Sequence, residues 1–268
     1  MPVSAPAPKQ AEPILLRSDN DGVATLTLNR PAARNALSTA LMAEIQRALD
    51  ALKDDRSVKI VVIAANGPAF CSGHDLKEIR ANPNRELYEA LFTQCGRMMQ
   101  SIVKLPQPVI AKVHAMAYAA GCQLVATCDL AIASDDATFC TPGVNIGLFC
   151  STPMVALTRN VGRKRAMEML LAGEAISAAE AANYGLVNRA VAPDKLDQAV
   201  WSLATKIAGK SPLTVKIGKE AFYKQIEMDL ASAYDYASRT MTINMLARDA
   251  EEGIDAFLEK RPPEWQNR

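Results

Sequence analysis

The chain has 268 residues, of which 49% are hydrophobic and 22% are charged, and its formal net charge is +1. So apolar a composition can bury a core, which excludes disorder over most of the chain. Thirty basic residues against 29 acidic ones leave no field to attract a polyanion, so no nucleic-acid partner is expected. No apolar run reaches the roughly 18 residues that cross a bilayer, so no membrane partner is expected either.

Residues 1–12 are rich in proline and alanine and lack the apolar core of a signal peptide, which predicts a mobile tail. No two cysteines form a C-x-x-C pair, and most stand among apolar residues, which is typical of reduced thiols in a cytoplasmic protein. The six are Cys71, Cys95, Cys122, Cys128, Cys140 and Cys150. The two histidines show no ligand spacing, so no metal site is predicted.

The first half of the chain alternates between strand and helix signals. Apolar residues alternate with threonine in the strands or form short β-branched runs, whereas they recur at helical spacing between the strands. The predicted elements are strand Val23–Leu28, a helix from Leu41 to Leu52, strand Ile60–Ala65, helix Leu87–Leu105, strand Val109–Val113, helix Ala119–Thr127, and strands Leu130–Ala133 and Thr138–Cys140. Such alternation predicts an α/β core with crossover connections.

After about Ser151 the pattern becomes mostly helical. Helices are predicted at Arg163–Leu171, Ala178–Tyr184, Leu196–Ala208, Leu213–Tyr223, Leu230–Leu246 and Glu251–Lys260, with one short strand at Leu186–Val191. We therefore expect a core over residues 13–205 and a C-terminal helical region over residues 206–268.

Three stretches are candidates for chemistry. Phe70–Leu76 combines a turn with a glycine-containing loop. Either this loop leaves backbone N–H groups uncovered by side chains, or it is a plain surface turn. His114–Leu124 leads through small residues into a helix, whose start can hold an anion or an oxyanion, although small residues also allow close packing. Thr141–Phe149 is either a fixed turn that lines a pocket or a connection between the two halves.

Four motifs at distant points of the chain point to one family. They are Leu28–Pro31 followed by Asn35–Leu37, Phe70–Lys77, Ala120–Leu124 followed by Cys128–Leu130, and Phe257–Arg261. Together they resemble the enoyl-CoA hydratase/isomerase (crotonase) superfamily from about residue 14 to Trp265. Gly143–Pro153 and Ala221–Gln225 resemble a narrower branch, which contains the third mitochondrial enoyl-CoA hydratase domain-containing proteins and their bacterial relatives.

The resemblance implies a fold, a ligand and an assembly. The implied fold is α/β, a crotonase (ClpP-like) spiral of ββα units with a helical C-terminal trimerisation region. The implied partners are acyl-CoA thioesters and further copies of the chain in a homotrimer or hexamer. No cofactor is implied beyond coenzyme A as part of the substrate or ligand.

The resemblance also implies site residues. The backbone N–H groups of His74 and Ala120 would hold the thioester oxygen as an enolate develops. Coenzyme A would lie along Ser72, His74, Leu76 and Lys77. Further substrate-binding candidates are Asp75, Tyr118, Gly121 and Cys150, with Arg34 and Lys260 for the phosphates. Two alternatives stay open: the His74 ring either assists a substrate carboxylate or carbonyl or has no role, and Cys150 is either a nucleophile or a small packing residue.

Two departures from the family pattern concern the hydratase glutamates, whose positions hold Gln123 and Gly143. An amide does not ionise and glycine has no side chain, and each acid–base role is worth about 10²–10⁴-fold in rate. The family-level expectation is a lyase of the enoyl-CoA hydratase type in fatty-acid metabolism, with little hydratase activity. The alternatives are a malonyl-type acyl-CoA decarboxylase and a non-catalytic acyl-CoA-binding pseudoenzyme.

Overall fold

The computed structural model describes residues 12–268. Its first part contains β1 (Leu15–Asn20), β2 (Val23–Leu28), a 3-10 turn (Pro31–Ala33), α1 (Thr39–Lys53), β3 (Ile60–Ala65), α2 (Leu76–Ala81), α3 (Arg85–Lys104) and β4 (Val109–Val113). The next part contains β5 (Ala117–Tyr118), α4 (Ala120–Thr127), β6 (Leu130–Ser134), β7 (Thr138–Cys140), a 3-10 turn (Pro142–Ile146), α5 (Pro153–Leu157), α6 (Arg163–Ala172), β8 (Ile176–Ser177), α7 (Ala178–Tyr184) and β9 (Arg189–Val191). After a 3-10 turn (Pro193–Lys195) come α8 (Leu196–Ala208), α9 (Pro212–Gln225), α10 (Leu230–Met245) and α11 (Arg248–Glu259).

The strands form two sheets, and the alternating pattern predicted most of the larger one. This sheet has six strands in the order β1-β2-β3-β4-β6-β9, and every neighbouring pair is parallel except the β1–β2 hairpin. The smaller sheet has the order β5-β7-β8. Since parallel strands all end at one edge of a sheet, the loops after β3 and β4 leave the large sheet on the same side.

Both faces of the large sheet are covered, which explains the long apolar runs in its strands. On one face α1 buries Leu41 and Leu49 in the main core. On the other face α8 packs Val200, Ala204 and Ala208 against the sheet. The boundary expected after residue 205 therefore falls inside α8, and the chain leaves the sheet only where this helix ends. The predicted tail, residues 1–12, lies outside the described residues except for Glu12.

The C-terminal helices contact the rest of the molecule sparingly. No apolar residue of α9 or α10 is buried. Large apolar side chains on α9 to α11 and on the turns between them are exposed, namely Phe222, Ile226, Leu230, Tyr234, Met241, Ile243, Met245, Leu246, Ile254, Phe257 and Leu258. Among residues 12–268, none of the helices combines the length and the apolarity needed to cross a bilayer.

Candidate active site

The loop after β3 is held against two other segments. The Leu37 N–H donates to the Gly73 carbonyl at 2.7 Å, and the Asp75 N–H donates to the Leu37 carbonyl at 3.3 Å. The Tyr118 N–H donates to the Cys71 carbonyl at 2.9 Å. Cys71 is fully buried, so the loop is anchored at its start and fixed along its length.

Two glycines bring this loop against the start of α4. Gly73 has φ +103°, and a Cβ there would lie 2.8 Å from the Ala119 Cβ and 3.5 Å from the Ala120 nitrogen. A Cβ on Gly121 would lie 2.1 Å from the Cys71 carbonyl oxygen. Since real Cβ atoms do not approach so closely, only glycine lets the loop and the helix meet here.

The meeting point carries two backbone N–H groups without a partner. Within residues 12–268, neither the His74 N–H nor the Ala120 N–H donates a hydrogen bond to the protein backbone or to a side chain. Ala120 is fully buried, and orphaned buried N–H groups are rare. Ala120 is also the first residue of α4, where the helix dipole is positive. Such a pair of donors suits a carbonyl oxygen that gains negative charge.

Ala119 joins the smaller sheet to α4 in an unusual conformation. Its φ is 49° and its ψ is −117°, outside the regions that alanine favours. A backbone conformation of this kind destabilises the protein by about 1–3 kcal/mol, and such conformations are found mainly at functional sites. The Ala119 N–H donates to the Cys140 carbonyl at 2.9 Å, which holds the strained residue in place.

The His74 ring faces the protein. Both ring nitrogens are buried; the Leu37 carbonyl lies close enough to raise the pKa of the ring, but neither nitrogen reaches a partner in the described residues with full hydrogen-bond geometry. The ring packs edge-on against Phe92 of α3, with the centroids 5.7 Å apart. Burial lowers the pKa of His74, and the nearby Leu37 carbonyl opposes that shift only in part, so the imidazole is neutral at pH 7. A neutral imidazole offers one donor and one acceptor.

Asp75 is occupied in bracing its own loop. Its carboxylate caps α2 by accepting from the Lys77 N–H at 3.2 Å and the Glu78 N–H at 3.4 Å. It also pairs with Arg30 at 3.0 Å. Burial raises the pKa of Asp75, but the hydrogen bonds from Arg30 and from the α2 N–H groups outweigh it, so the net pKa is lowered. The group is therefore ionised and a poor base.

Gln123 lies one turn after Ala120 on the same face of α4. Helical side chains lean toward the N-terminus, which directs the amide over the start of the helix. Gln123 is 5% exposed, and its Oε1 atom is buried without a partner in the described residues. Gln123 therefore puts a buried, neutral amide on the α4 face that carries Ala120.

The Gly143 position is closed to larger side chains. A Cβ there would lie 2.5 Å from the Leu148 carbonyl oxygen and 2.9 Å from the Cys150 Sγ. The Leu148 N–H also donates to the Gly143 carbonyl at 2.9 Å, so the loop folds back onto this residue. The backbone and thiol of residues 148–150 thus fill the space that a side chain would need.

The polar groups around this loop serve the scaffold. Burial raises the pKa of the Cys150 thiol, which favours its packing role over a nucleophilic one. The Tyr118 hydroxyl lies 3.3 Å from the Thr138 hydroxyl. The Asn145 side chain donates to the Gly173 carbonyl at 3.1 Å. All six cysteines are free and buried.

Four further candidates lie beside the His74 loop. The Ser72 N–H donates to the Arg34 carbonyl at 3.1 Å, so these two residues lie together at the loop. Leu76 and Lys77 begin α2, directly after the loop, and both are exposed. The structure therefore brings four of the candidates expected to contact coenzyme A to one place.

Lys260 lies elsewhere. It follows the end of α11, which packs chiefly on α9 and α10. Within one chain, the structure does not bring this lysine to the His74 loop.

Two features of the site were missed by sequence reasoning. Phe92 contacts the His74 ring from the next long helix, and nothing in the local pattern connects the two residues. The Leu148 carbonyl closes the Gly143 position, but a backbone group that folds back leaves no sequence signal. Only Gly147, with φ +77°, marks the turn that makes this possible.

Comparisons with known proteins agree on one family. The family model for enoyl-CoA hydratase/isomerase matches residues 18–268. The chain is 47% identical over 247 residues to human "Enoyl-CoA hydratase domain-containing protein 3, mitochondrial", covering 92% of this chain and 82% of that protein. The structure of that human protein superposes with a TM-score of 0.92 at 46% identity, covering 94% of this chain and 100% of the other.

A bacterial structure is similar over the same extent. The enoyl-CoA hydratase of Mycobacterium smegmatis superposes with a TM-score of 0.93 at 57% identity, covering 95% of this chain and 99% of that one. These similarities confirm the fold that the sequence motifs implied. The human relative carries "mitochondrial" in its name, so the cytoplasmic location expected for this chain finds no support there and stays a prediction.

Proposed function

We propose a function from one premise: the chain belongs to the enoyl-CoA hydratase/isomerase family. On that premise it binds acyl-CoA thioesters, with the thioester oxygen at the N–H groups of His74 and Ala120. It stabilises the enolate of the bound thioester, and it is a poor hydratase. The observation that carries the proposal is the pair of unpartnered N–H groups at the junction built by Gly73 and Gly121.

The low hydratase activity follows from the two replaced positions. Hydration needs one group to activate water and another to protonate the α-carbon. The Gln123 amide can do neither, and the Gly143 position is filled by the Leu148 carbonyl and Cys150. The carboxylate of Asp75, in the His74 loop, is engaged by Arg30 and by the start of α2.

Decarboxylation of a malonyl-type thioester is the second candidate. Loss of CO₂ leaves the enolate directly, so this reaction needs a stabilised oxyanion and no base. The neutral His74 imidazole favours it: the ring nitrogens are buried against the protein in this structure, and a ring turned toward the thioester would donate a hydrogen bond to a substrate carboxylate or carbonyl. In this reaction the N–H pair would stabilise the enolate oxygen, and the ring would bind the substrate carboxylate or carbonyl.

A turnover panel tests the proposal. Crotonyl-CoA, malonyl-CoA and methylmalonyl-CoA are incubated with the protein, products are identified by mass spectrometry, and binding of each is measured by calorimetry. We expect binding of all three, with crotonyl-CoA hydration far below the enzyme median of about 10 s⁻¹. CO₂ release from the malonyl-type esters would select the decarboxylase. Binding without turnover would select a pseudoenzyme, and no binding would refute the proposal.

A further inference from the structure

A second cavity lies at the opposite edge of the large sheet from the candidate active site. It is lined by the segment between α1 and β3, the residues before β4, and the start of α9. These segments precede β3 and β4, whereas the His74 loop and α4 follow them. The residues of β3 rise about 3.3 Å each, which separates the two places by roughly 16–20 Å. The cavity volume of about 370 Å³ lies at the small end of ligand-binding pockets.

The wall of this cavity is predominantly cationic. Five basic side chains line it, namely Lys53, Arg56, Lys59, Lys210 and Lys216. Within residues 12–268, none of them forms an ion pair. Two carboxylates also line the cavity, Asp54 and Asp55, and Asp55 is already paired with Arg17 at 2.9 Å. The basic groups come from both sides, so an anion between them would contact the core and the C-terminal helices together.

A buried side chain in the wall has a free acceptor. Gln107 is 7% exposed, and its amide nitrogen lies 2.8, 3.3 and 3.4 Å from the carbonyl oxygens of Leu52, Asp55 and Val58. Three acceptors around the nitrogen fix the orientation of the amide, because a flipped amide would face them with its oxygen. Its Oε1 atom is therefore fixed as well, and it has no partner in the described residues.

A buried acceptor without a donor destabilises the protein, because it has lost its water without gaining a hydrogen bond. Oε1 is shielded from solvent in this structure, so the wall must shift before a ligand hydroxyl or amine can reach this atom and remove that cost. The cations around it would hold a phosphate, which takes several charge-assisted hydrogen bonds at once. The start of α9 contributes a positive helix dipole to the same space.

We propose that this cavity binds a small, soluble phosphorylated compound that carries hydroxyl donors, such as a sugar phosphate. The site does not depend on the function proposed above. The phosphate lies among the cations, and a hydroxyl donates to Gln107 Oε1. Because the ligand would join the core to α9, its binding would also stabilise the C-terminal helices.

Calorimetry with glucose 6-phosphate as the probe tests the site, since this probe has no adenine and so does not mimic coenzyme A. Glucose tests the hydroxyls alone, and inorganic phosphate tests the anion. We expect saturable binding of glucose 6-phosphate, weaker binding of phosphate, and none of glucose. Raising the salt concentration should weaken binding, since the cations are exposed.

Matched charge variants locate the site. Lys53→Gln with Arg56→Gln should weaken glucose 6-phosphate binding on the order of tenfold, the loss expected for a charge-assisted hydrogen bond. The control is Lys164→Gln with Arg163→Gln on α6, which removes the same charges away from the cavity. Equal effects of the two pairs, no saturable binding, or binding of phosphoinositide vesicles but not of glucose 6-phosphate would each overturn the proposal.

Discussion

Gly73 and Gly121 combine two roles that the sequence leaves as alternatives. Their missing side chains allow the His74 loop to touch the start of α4, which is close packing. The same contact brings together two N–H groups that have no acceptor in the described residues. The close packing therefore also creates the proposed anion-binding site. A methyl group at either glycine would push the His74 loop and α4 apart, and so separate the two N–H donors.

The closed Gly143 position predicts a stability effect. Gly143→Ala should destabilise the protein by about 1–3 kcal/mol, because the new Cβ would overlap the Leu148 carbonyl and the Cys150 thiol. Urea denaturation measures the change. Gly96→Ala in α3 is the control: a Cβ there meets nothing within 4 Å, so it should stabilise the helix by up to about 1 kcal/mol. Equal stability of both variants would show that the Gly143 loop is open.

The ion pair at Asp75 predicts a pH dependence. A lowered pKa means that the ionised group contributes stability above its unfolded pKa of about 3.9, and that this contribution is lost as the pH falls through the folded value. Asp75→Asn keeps a good helix cap but removes the charge. It should therefore be less stable than wild type in urea at neutral pH, and the difference should shrink as the pH falls below the unfolded pKa. A difference that stays constant into acid would contradict this account.

Helix α9 is tied to the core through one buried ionic cluster. Lys219 donates to Asp129 at 2.7 Å and to the carbonyl oxygens of Ile102 and Gln107 at 3.0 Å each. The Tyr223 hydroxyl donates to the other Asp129 oxygen at 2.8 Å. Burial lowers the pKa of Lys219, while Asp129 opposes that shift. With little apolar burial in α9, this cluster fixes the helix on the core.

Breaking the cluster should release α9. Lys219→Met leaves the Asp129 carboxylate buried without its cation, which costs about 3–5 kcal/mol. Thermal and urea unfolding measure the loss, and limited proteolysis should cut residues 212–245 sooner than in wild type. Lys216→Met, on the exposed side of the same helix, should change stability by less than about 0.5 kcal/mol. A small effect of Lys219→Met would show that another contact holds the helix.

The elements that the sequence predicted are those with long apolar patterns. Val23–Leu28, Ile60–Ala65 and Val109–Val113 are strands with the predicted ends, because their apolar runs are buried between the helices on either face of the sheet. The predicted strand Leu186–Val191 starts later in the structure, at Arg189, where pairing with β6 begins. Leu186 and Val187 gave a strand-like apolar pattern because they are buried, although they precede the strand.

The missed elements are short or polar. β5 and β8 have two residues each, and β1 carries exposed residues over most of its length. Their pairing depends on distant strands, which a local pattern cannot show. In the site, the motif positions of His74 and Ala120 were predicted, whereas the contact with Phe92 and the closure of Gly143 depend on tertiary packing.

At the scale of the whole molecule, the exposed apolar surface of α9 to α11 predicts self-association. Leu246 is 83% exposed and Met241 is 62% exposed. Soluble monomers rarely expose many large apolar side chains in one region, so such a surface indicates an interface. Light scattering should give a mass that is a multiple of three chains, as the family resemblance implies. Met241→Glu with Leu246→Glu should lower that mass while circular dichroism stays unchanged. A wild-type monomer at micromolar concentration would contradict the prediction.

The most direct test of the central claim measures enolate stabilisation at the free N–H pair. Acetoacetyl-CoA is acidic enough to form an enolate, which absorbs in the near ultraviolet, so titration with protein reports the enolate bound. Ala120→Pro removes one donor at the first position of α4. Because a proline restricts the residue before it and Ala119 is already strained, the variant is used only after circular dichroism shows that it is folded. The control is Ala178→Pro, a buried alanine at the same position of α7.

We expect wild type and Ala178→Pro to bind the enolate alike, and a folded Ala120→Pro variant to bind it on the order of tenfold more weakly or worse, since a donor to a charged oxygen is lost. Equal enolate binding by all three folded proteins would show that the thioester oxygen does not lie at Ala120.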